Sequence, residues 1–158
     1  MSELPLLDGW DRLAAVLLPF LVRCGAAAIC GGMIGLEREL KRKPAGLRTN
    51  ILICVGAAMY MAIGLLLVHA NGESNTDVSR IAAQVVTGIG FLGAGCIIQA
   101  GDHVTGLTSA ATIWVSAAIG IMAGAGFPIM SIIVATLVVV TLVVLREVEK
   151  RWLEEHPD

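Results

Sequence analysis

Two sets of side chains in this sequence have types and spacing that can do chemistry. Glu37, Arg38 and Glu39 are consecutive, and Arg48 follows in the same charged stretch. Two carboxylates and two guanidiniums so close together can build an ion-paired network that gates a path or meets a partner. They can also serve as solvated anchors at a membrane border. The second set is polar and almost uncharged. Arg80, Gln84 and Thr87 fall at i, i+4 and i+7, on one helix face, while Thr108, Thr112, Ser116, Gly120 and Gly124 recur every four residues. Such stripes either hydrogen-bond to a neighbouring helix or line a hydrated path or ligand pocket.

Other chemistries lack their residues. The sequence has no paired nucleophile and base, no glycine-rich loop with a phosphate-binding lysine, and no His/Cys/Asp cluster at metal-ligand spacing. A magnesium path through a membrane needs carboxylates facing water, yet Glu37 and Asp102 stand only at the ends of the apolar stretches. The reading is therefore not an enzyme, with no cofactor and no metal site; magnesium is the ion to consider if one is carried. Cys24, Cys30, Cys54 and Cys96 all lie in apolar runs without a C-x-x-C pair. They read as small buried hydrophobes, with a disulfide or metal site as the alternative.

The elements that must position these side chains follow from composition. Of 158 residues, 56% are hydrophobic and 15% charged, against ~45–50% and ~25% in soluble domains. Mean hydropathy is +0.81. A soluble chain this short leaves too much of itself on the surface to hide that much apolar area. The net charge of −2 supplies no basic field for nucleic acid. The solvent that fits is a lipid bilayer.

Charge is missing in long stretches. Only Arg23 is charged between Leu13 and Leu36, nothing is charged from Thr49 to Gly72 or from Ile81 to Gly101, and 43 uncharged residues run from His103 to Leu145. A crossing takes ~20 residues, so the last stretch holds two, broken at Gly124-Ala125-Gly126-Phe127-Pro128. This predicts an all-α bundle of about five transmembrane helices, near 13–36, 49–69, 79–100, 106–125 and 128–146. Residues 1–148 form the membrane domain and 149–158 a short cytoplasmic tail. The acidic start, with Glu3, Asp8 and Asp11, argues against a cleaved signal peptide. Eight of the 11 Lys and Arg residues fall after helices 1 and 5, which sets the N-terminus outside and the C-terminus in the cytoplasm. Arg23, just after Pro19, is expected toward the outer leaflet, where its stem can snorkel; a straight helix 1 would leave it near mid-membrane.

Glycine marks the faces meant for close approach. Gly31 and Gly35 form a G-x-x-x-G, read as tight packing inside the protein or as a dimer seam. Gly88, Gly90, Gly93 and Gly95 crowd helix 3, for close packing or a local break. The polar stripes of helices 3 and 4 are expected to face each other or a shared cavity. Helix 5, without glycine, reads as peripheral and lipid-facing. The Glu37, Arg38, Glu39 and Arg48 cluster is expected to meet the inner end of helix 3, with Glu37 turned toward the bundle interior. Arg80 is expected to pair with Asp77 or an N-terminal carboxylate. A weak repeat at an offset of 60 residues aligns Gly46-Leu47 with Gly106-Leu107 and Gly64 with Gly124, suggesting two helical hairpins in parallel orientation.

The combination Ile34-Gly35-Leu36-Glu37-Arg38-Glu39, Ala45-Gly46-Leu47-Arg48-Thr49-Asn50, Arg80-Ile81-Ala82-Ala83-Gln84 through Gly95, and Gly106-Leu107-Thr108-Ser109-Ala110-Ala111-Thr112-Ile113-Trp114 resembles the membrane domain of the MgtC/SapB family, from about Arg23 to Val148. The resemblance implies a multi-pass protein of the bacterial inner membrane, linked to growth under magnesium limitation and, in some pathogens, to survival inside macrophages. It implies a non-catalytic regulator of other membrane proteins, the proton-driven ATP synthase among those considered, with a small ion or solute transporter as the alternative. Many relatives add a cytoplasmic C-terminal domain; the chain resembles a short member without it. Where the family usually has Arg-Gly-Leu, this chain has Thr105-Gly106-Leu107 with His103 nearby, read as a solvated loop histidine. Expected partners are the bilayer, a second copy in a homodimer, and another membrane protein. A phosphatase reporter fused after Asp158 should stay inactive while a fluorescent-protein fusion at the same point glows; the opposite pattern would reverse the predicted orientation.

Overall fold

A computed structural model describes residues 10–71, 78–101 and 103–155. Among the described residues there are five helices: α1 Trp10–Leu40, α2 Leu47–Asn71, α3 Val78–Ala94, α4 Leu107–Gly124 and α5 Pro128–Glu155. A short antiparallel ribbon, β1 Ile98–Ala100 and β2 His103–Thr105, joins α3 to α4. Four helices are long and apolar enough to cross a membrane: Ala14–Leu40, Leu47–Val68, Leu107–Gly124 and Pro128–Trp152.

The fifth helix, α3, is shorter, at 17 residues. It rises ~26 Å, a few ångströms less than a bilayer core of ~30 Å, a mismatch the lipid can absorb. Its direction follows from its neighbours. Asn50, Cys54 and Ala58 on α2 meet Ser116, Gly120 and Gly124 on α4 in the same order, so α2 and α4 run parallel. The chain must return between them, and α3 does so. Ile81 near its start reaches Gly64 of α2, and Gly93 near its end lies beside Ala110 of α4.

The centre of the bundle is α2. A methyl group at Gly31 of α1 would lie 2.5 Å from the Asn50 carbonyl oxygen, and one at Gly35 would lie 2.7 Å from the Leu47 Cα. On the other side, any side chain at Gly120 or Gly124 of α4 would collide with the backbone of Cys54 or Ala58. The G-x-x-x-G of α1 is thus occupied within the chain. Around it, Ala26, Ala27, Cys54, Ala58 and Ala123 form one buried cluster. Cys30, Ile34, Ile119 and Ala135 form a second, which docks the inner face of α5. The outer face of α5, including Ile133, Leu137 and Leu145, is exposed, as a lipid-facing helix requires. Its last turns carry the i,i+4 pairs Lys150–Glu154 and Arg151–Glu147, so the tail continues α5 without a break at 149.

Three expectations are corrected here. Helix 3 was expected to reach residue 100 but stops at Ala94. The N–H groups of Cys96 and Ile97 turn back onto Gly93 and Ala94, and Gly101 at φ +62° lets the chain reverse into a ribbon. Alternating Ile98, Gln99 and Ala100 suits a strand as well as a helix end. Gly88 and Gly90 were expected to pack closely, yet neither has an atom within 4 Å of where a side chain would begin; α3 turns Val85 and Ile89 inward instead. The repeat holds for the starts of α2 and α4, each one residue after a glycine, but the turns are not copies. Gly106 is itself left-handed, at φ +89°, while in the first turn the left-handed residues are Arg42 and Ala45.

Pro19 sits inside a continuous α1. Arg23 lies at the end of the bundle that carries the α4–α5 turn, where its Nη1 donates to the Gly124 carbonyl at 3.1 Å. A cation there satisfies a helix C-terminus. Gly35→Ala should destabilise the protein by about 1–3 kcal/mol through overpacking. Gly25→Ala, with open space around it, should be neutral or stabilise by up to ~1 kcal/mol. Reversible unfolding in mixed micelles, followed by helix content, checks both.

Candidate functional site

The charged residues gather at the end opposite Arg23, where α1 stops and α2 and α4 begin. There α1 closes with Arg42 left-handed at φ 52°, the Arg42 N–H donating to Glu39 and the Lys43 N–H to Arg38. This Schellman arrangement turns the chain so that Arg38 points back into the bundle. Arg38 and Glu37 are both buried. The Arg38 Nη2 donates to the Ser109 hydroxyl at 3.0 Å, and its Nη1 lies 3.8 Å from the Glu37 carboxylate. Among the described residues, neither Glu37 Oε2 nor Arg38 Nε finds a hydrogen-bond partner. Both residues line a cavity of about 760 Å³ bounded by the first turn of α4, the ribbon, and Leu142, Leu145 and Arg146 of α5.

The four-residue cluster predicted from sequence is therefore divided. Arg38 joins Ser109 of α4, not the inner end of helix 3, because α3 ends early and the ribbon intervenes. Glu39 turns away and accepts the Leu47 N–H at 2.7 Å, capping α2. Arg48 stands exposed on the first turn of α2.

The predicted polar stripes also part. Ser116 and Thr112 are buried, but toward α2 and their own helix: the Ser116 hydroxyl donates to Asn50 Oδ1 at 2.8 Å, and that of Thr112 to the Thr108 carbonyl at 2.7 Å. Thr108 and Thr87 are exposed, with the Thr87 hydroxyl on the Ala83 carbonyl. Arg80 and Gln84 line a second cavity of about 820 Å³ between α2 and α3, among Leu52, Tyr60 and Leu92. The two stripes do not face each other, because α3 meets α4 through its apolar side. Gly93 is the packed glycine of α3, where a methyl group would lie 3.6 Å from the Ala110 carbonyl oxygen, and Gly95 forms the turn that follows. Asp77, Glu3 and Asp8 lie outside the described residues.

Asn50 escaped the sequence reading of the stripes. It is fully buried, its Nδ2 donating to the Ala45 and Gly46 carbonyls at 2.6 and 3.0 Å while its Oδ1 accepts from Ser116. One side chain thus ties the α1–α2 turn to α4. The available signal was an amide inside an uncharged apolar stretch, a placement tolerated only when its hydrogen bonds are met. Ser109 gave no such signal. The four cysteines are free thiols; those of Cys30 and Cys54 donate to Ser131 and to the Ser116 carbonyl. Among the described residues, no three His, Cys, Asp or Glu side chains are grouped to hold a metal.

The MgtC family pattern matches residues 25–151, from within α1 to the last turns of α5. The chain belongs to the MgtC family. It is 49% identical over 110 residues to "Putative magnesium transporter YhiD" of Escherichia coli K12, covering 68% of this chain and 51% of that protein. It is 50% identical over 100 residues to "Protein MgtC" of Brucella abortus, covering 63% and 40%. Against "Protein MgtC" of Salmonella typhimurium it is 39% identical over 136 residues, covering 86% and 56%. The chain spans about half the length of these curated relatives. No solved structure matches it. The match makes this a membrane protein of the MgtC family and points to no catalytic family.

Asn50→Ala and Ser116→Ala should each cost about 1–3 kcal/mol, as each leaves buried polar groups unpaired. Combined, they should cost less than their sum by about 0.5–1.5 kcal/mol. A double-mutant cycle of unfolding free energies measures the coupling.

Proposed function

We propose that this chain is a non-catalytic, multi-pass protein of the bacterial inner membrane, acting in adaptation to low magnesium by docking another membrane protein along α3. Its basic end faces the cytoplasm in this reading, in line with the distribution of Lys and Arg. The observation that carries it is the contrast among glycines. Gly31 and Gly35 of α1 and Gly120 and Gly124 of α4 are filled by neighbouring backbone, whereas Gly88 and Gly90 of α3 stand in open space, Gly88 at the α2–α3 cavity. Phe91, beside them, is 82% exposed. In lipid, a smooth helix face is where another helix can approach closely. A second copy, giving a homodimer, is one occupant of that face; a different membrane protein is the other.

Transport of magnesium or another small ion is the second reading. It is favoured by the name of the Escherichia coli relative and by Arg80 and Gln84 at the same cavity.

Gly88→Leu and Gly90→Leu place side chains into empty space and should leave the fold intact, stabilising α3 by up to ~1 kcal/mol each. Both should abolish rescue of a deletion strain at low magnesium. Proteoliposomes of the wild-type protein should show no magnesium uptake above empty vesicles. Full rescue by both variants would remove docking along α3. Uptake abolished by Gln84→Leu would establish transport instead.

A further inference from the structure

The geometry points to the cavity at the basic end as a binding site for a phosphate group that brings its own hydrogen-bond donor. This inference does not depend on what α3 docks. Three features share the one cavity. The first is the start of α4. Gly106 at the N-cap is left-handed and no side chain caps the helix. The N–H groups of Leu107, Thr108 and Ser109 therefore lack the intrahelical acceptors a first turn never has, and the helix dipole adds partial positive charge there. An uncapped helix start is a ready anion site.

The second feature is Arg38, whose side chain is only 6% exposed. Arg38 lines the cavity, and its buried Nε has no acceptor among the described residues. A buried guanidinium N–H left unbonded is costly, and an oxyanion is its natural complement. The third is the rim. Lys41, Arg42, Lys43 and Arg146 surround the opening, and with Arg38 they make five cations against the two carboxylates Glu37 and Glu149. A multiply charged anion fits that balance.

Glu37 narrows the ligand further. Its Oε2 is buried in the same wall without a hydrogen bond. A fully deprotonated oxyanion such as sulfate would be repelled by it, whereas a ligand with a donor would satisfy it. Hydrogen phosphate has a P–OH; a phospholipid headgroup has the ammonium of ethanolamine or the hydroxyls of glycerol. These are two sources of one chemistry. The apolar walls from Leu142 and Leu145 of α5, with Leu145 exposed on its outer side, are compatible with entry from the bilayer.

The test uses the full chain purified in detergent, with thermal shift and native mass spectrometry as readouts. One arm titrates inorganic phosphate against sulfate at neutral pH. The other titrates phosphatidylethanolamine and phosphatidylglycerol against phosphatidylcholine, whose ammonium carries no N–H. The expected result is saturable binding in one arm, which names the source, with the donor-free comparison at least tenfold weaker. The double variant Lys41→Gln/Arg146→Gln, on exposed positions, should weaken that binding at least tenfold with helix content unchanged. Glu37→Gln should narrow the preference over the donor-free ligand. No saturable binding in either arm, equal binding of sulfate or phosphatidylcholine, or unchanged affinity in the double variant would overturn the assignment.

Discussion

In lipid, a helix gains nothing by hiding apolar side chains from its solvent, so helices must be held by contact and by hydrogen bonds. The close approach of α2 to both its neighbours is where this chain meets that requirement. Gly31 and Gly35 bring α1 onto the α2 backbone, and Gly120 and Gly124 bring α4 onto its other side. Side chains at these positions would separate the helices and remove the dispersion contacts that hold them. The remaining elements are arranged around this three-helix unit: α5 against α1 and α4, and α3 at the open flank.

Close packing also decides where polar groups can reach. Because α2 and α4 lie backbone to backbone, the short hydroxyl of Ser116 can touch Asn50, and the thiol of Cys54 can touch the Ser116 carbonyl. Asn50 in turn holds the Ala45–Gly46 turn, so the end of α1 is fixed relative to α4. Arg38 then meets Ser109 without a loop of uncertain length between them. The polar end of the molecule is thus a consequence of glycine placement about one to four helical turns away.

The membrane helices were legible because lipid imposes a simple rule: charge is expelled, so uncharged stretches mark the spans. All five helices fall where charge was missing. The end of α3 was not legible, because Ile98, Val104 and their neighbours are apolar in a ribbon as they would be in a helix, and only the turn geometry at Gly101 separates the two. The stripes failed for a different reason. Periodicity tells which residues share a face, not which neighbour that face meets. Thr112 and Ser116 share a face, as read, but it turns to α2 and the protein interior, while Thr87 turns outward and Gln84 opens onto the α2–α3 cavity. Asn50 stood in plain sight within an apolar run, and its meaning depended on a residue 66 positions away. Glu37 and Arg38 were legible as a polar pair; that one cavity also holds the start of α4 depends on the tertiary fold alone.

The two halves of the chain are built alike and packed unlike. α2 and α4 start at corresponding glycines and run parallel, yet α1 lies hard against α2 while α3 touches its partners through a few side chains and leaves Gly88 and Gly90 uncovered. A helix in lipid with few interhelical contacts is held weakly, and α3 is also the shortest of the five. The closely packed α1, α2 and α4 therefore fix the geometry of the basic cavity, while α3 presents a surface. Such a division suits a protein whose action depends on what it contacts in the membrane plane, since the contacting helix can adjust without disturbing Asn50, Arg38 or the glycine seams that hold them.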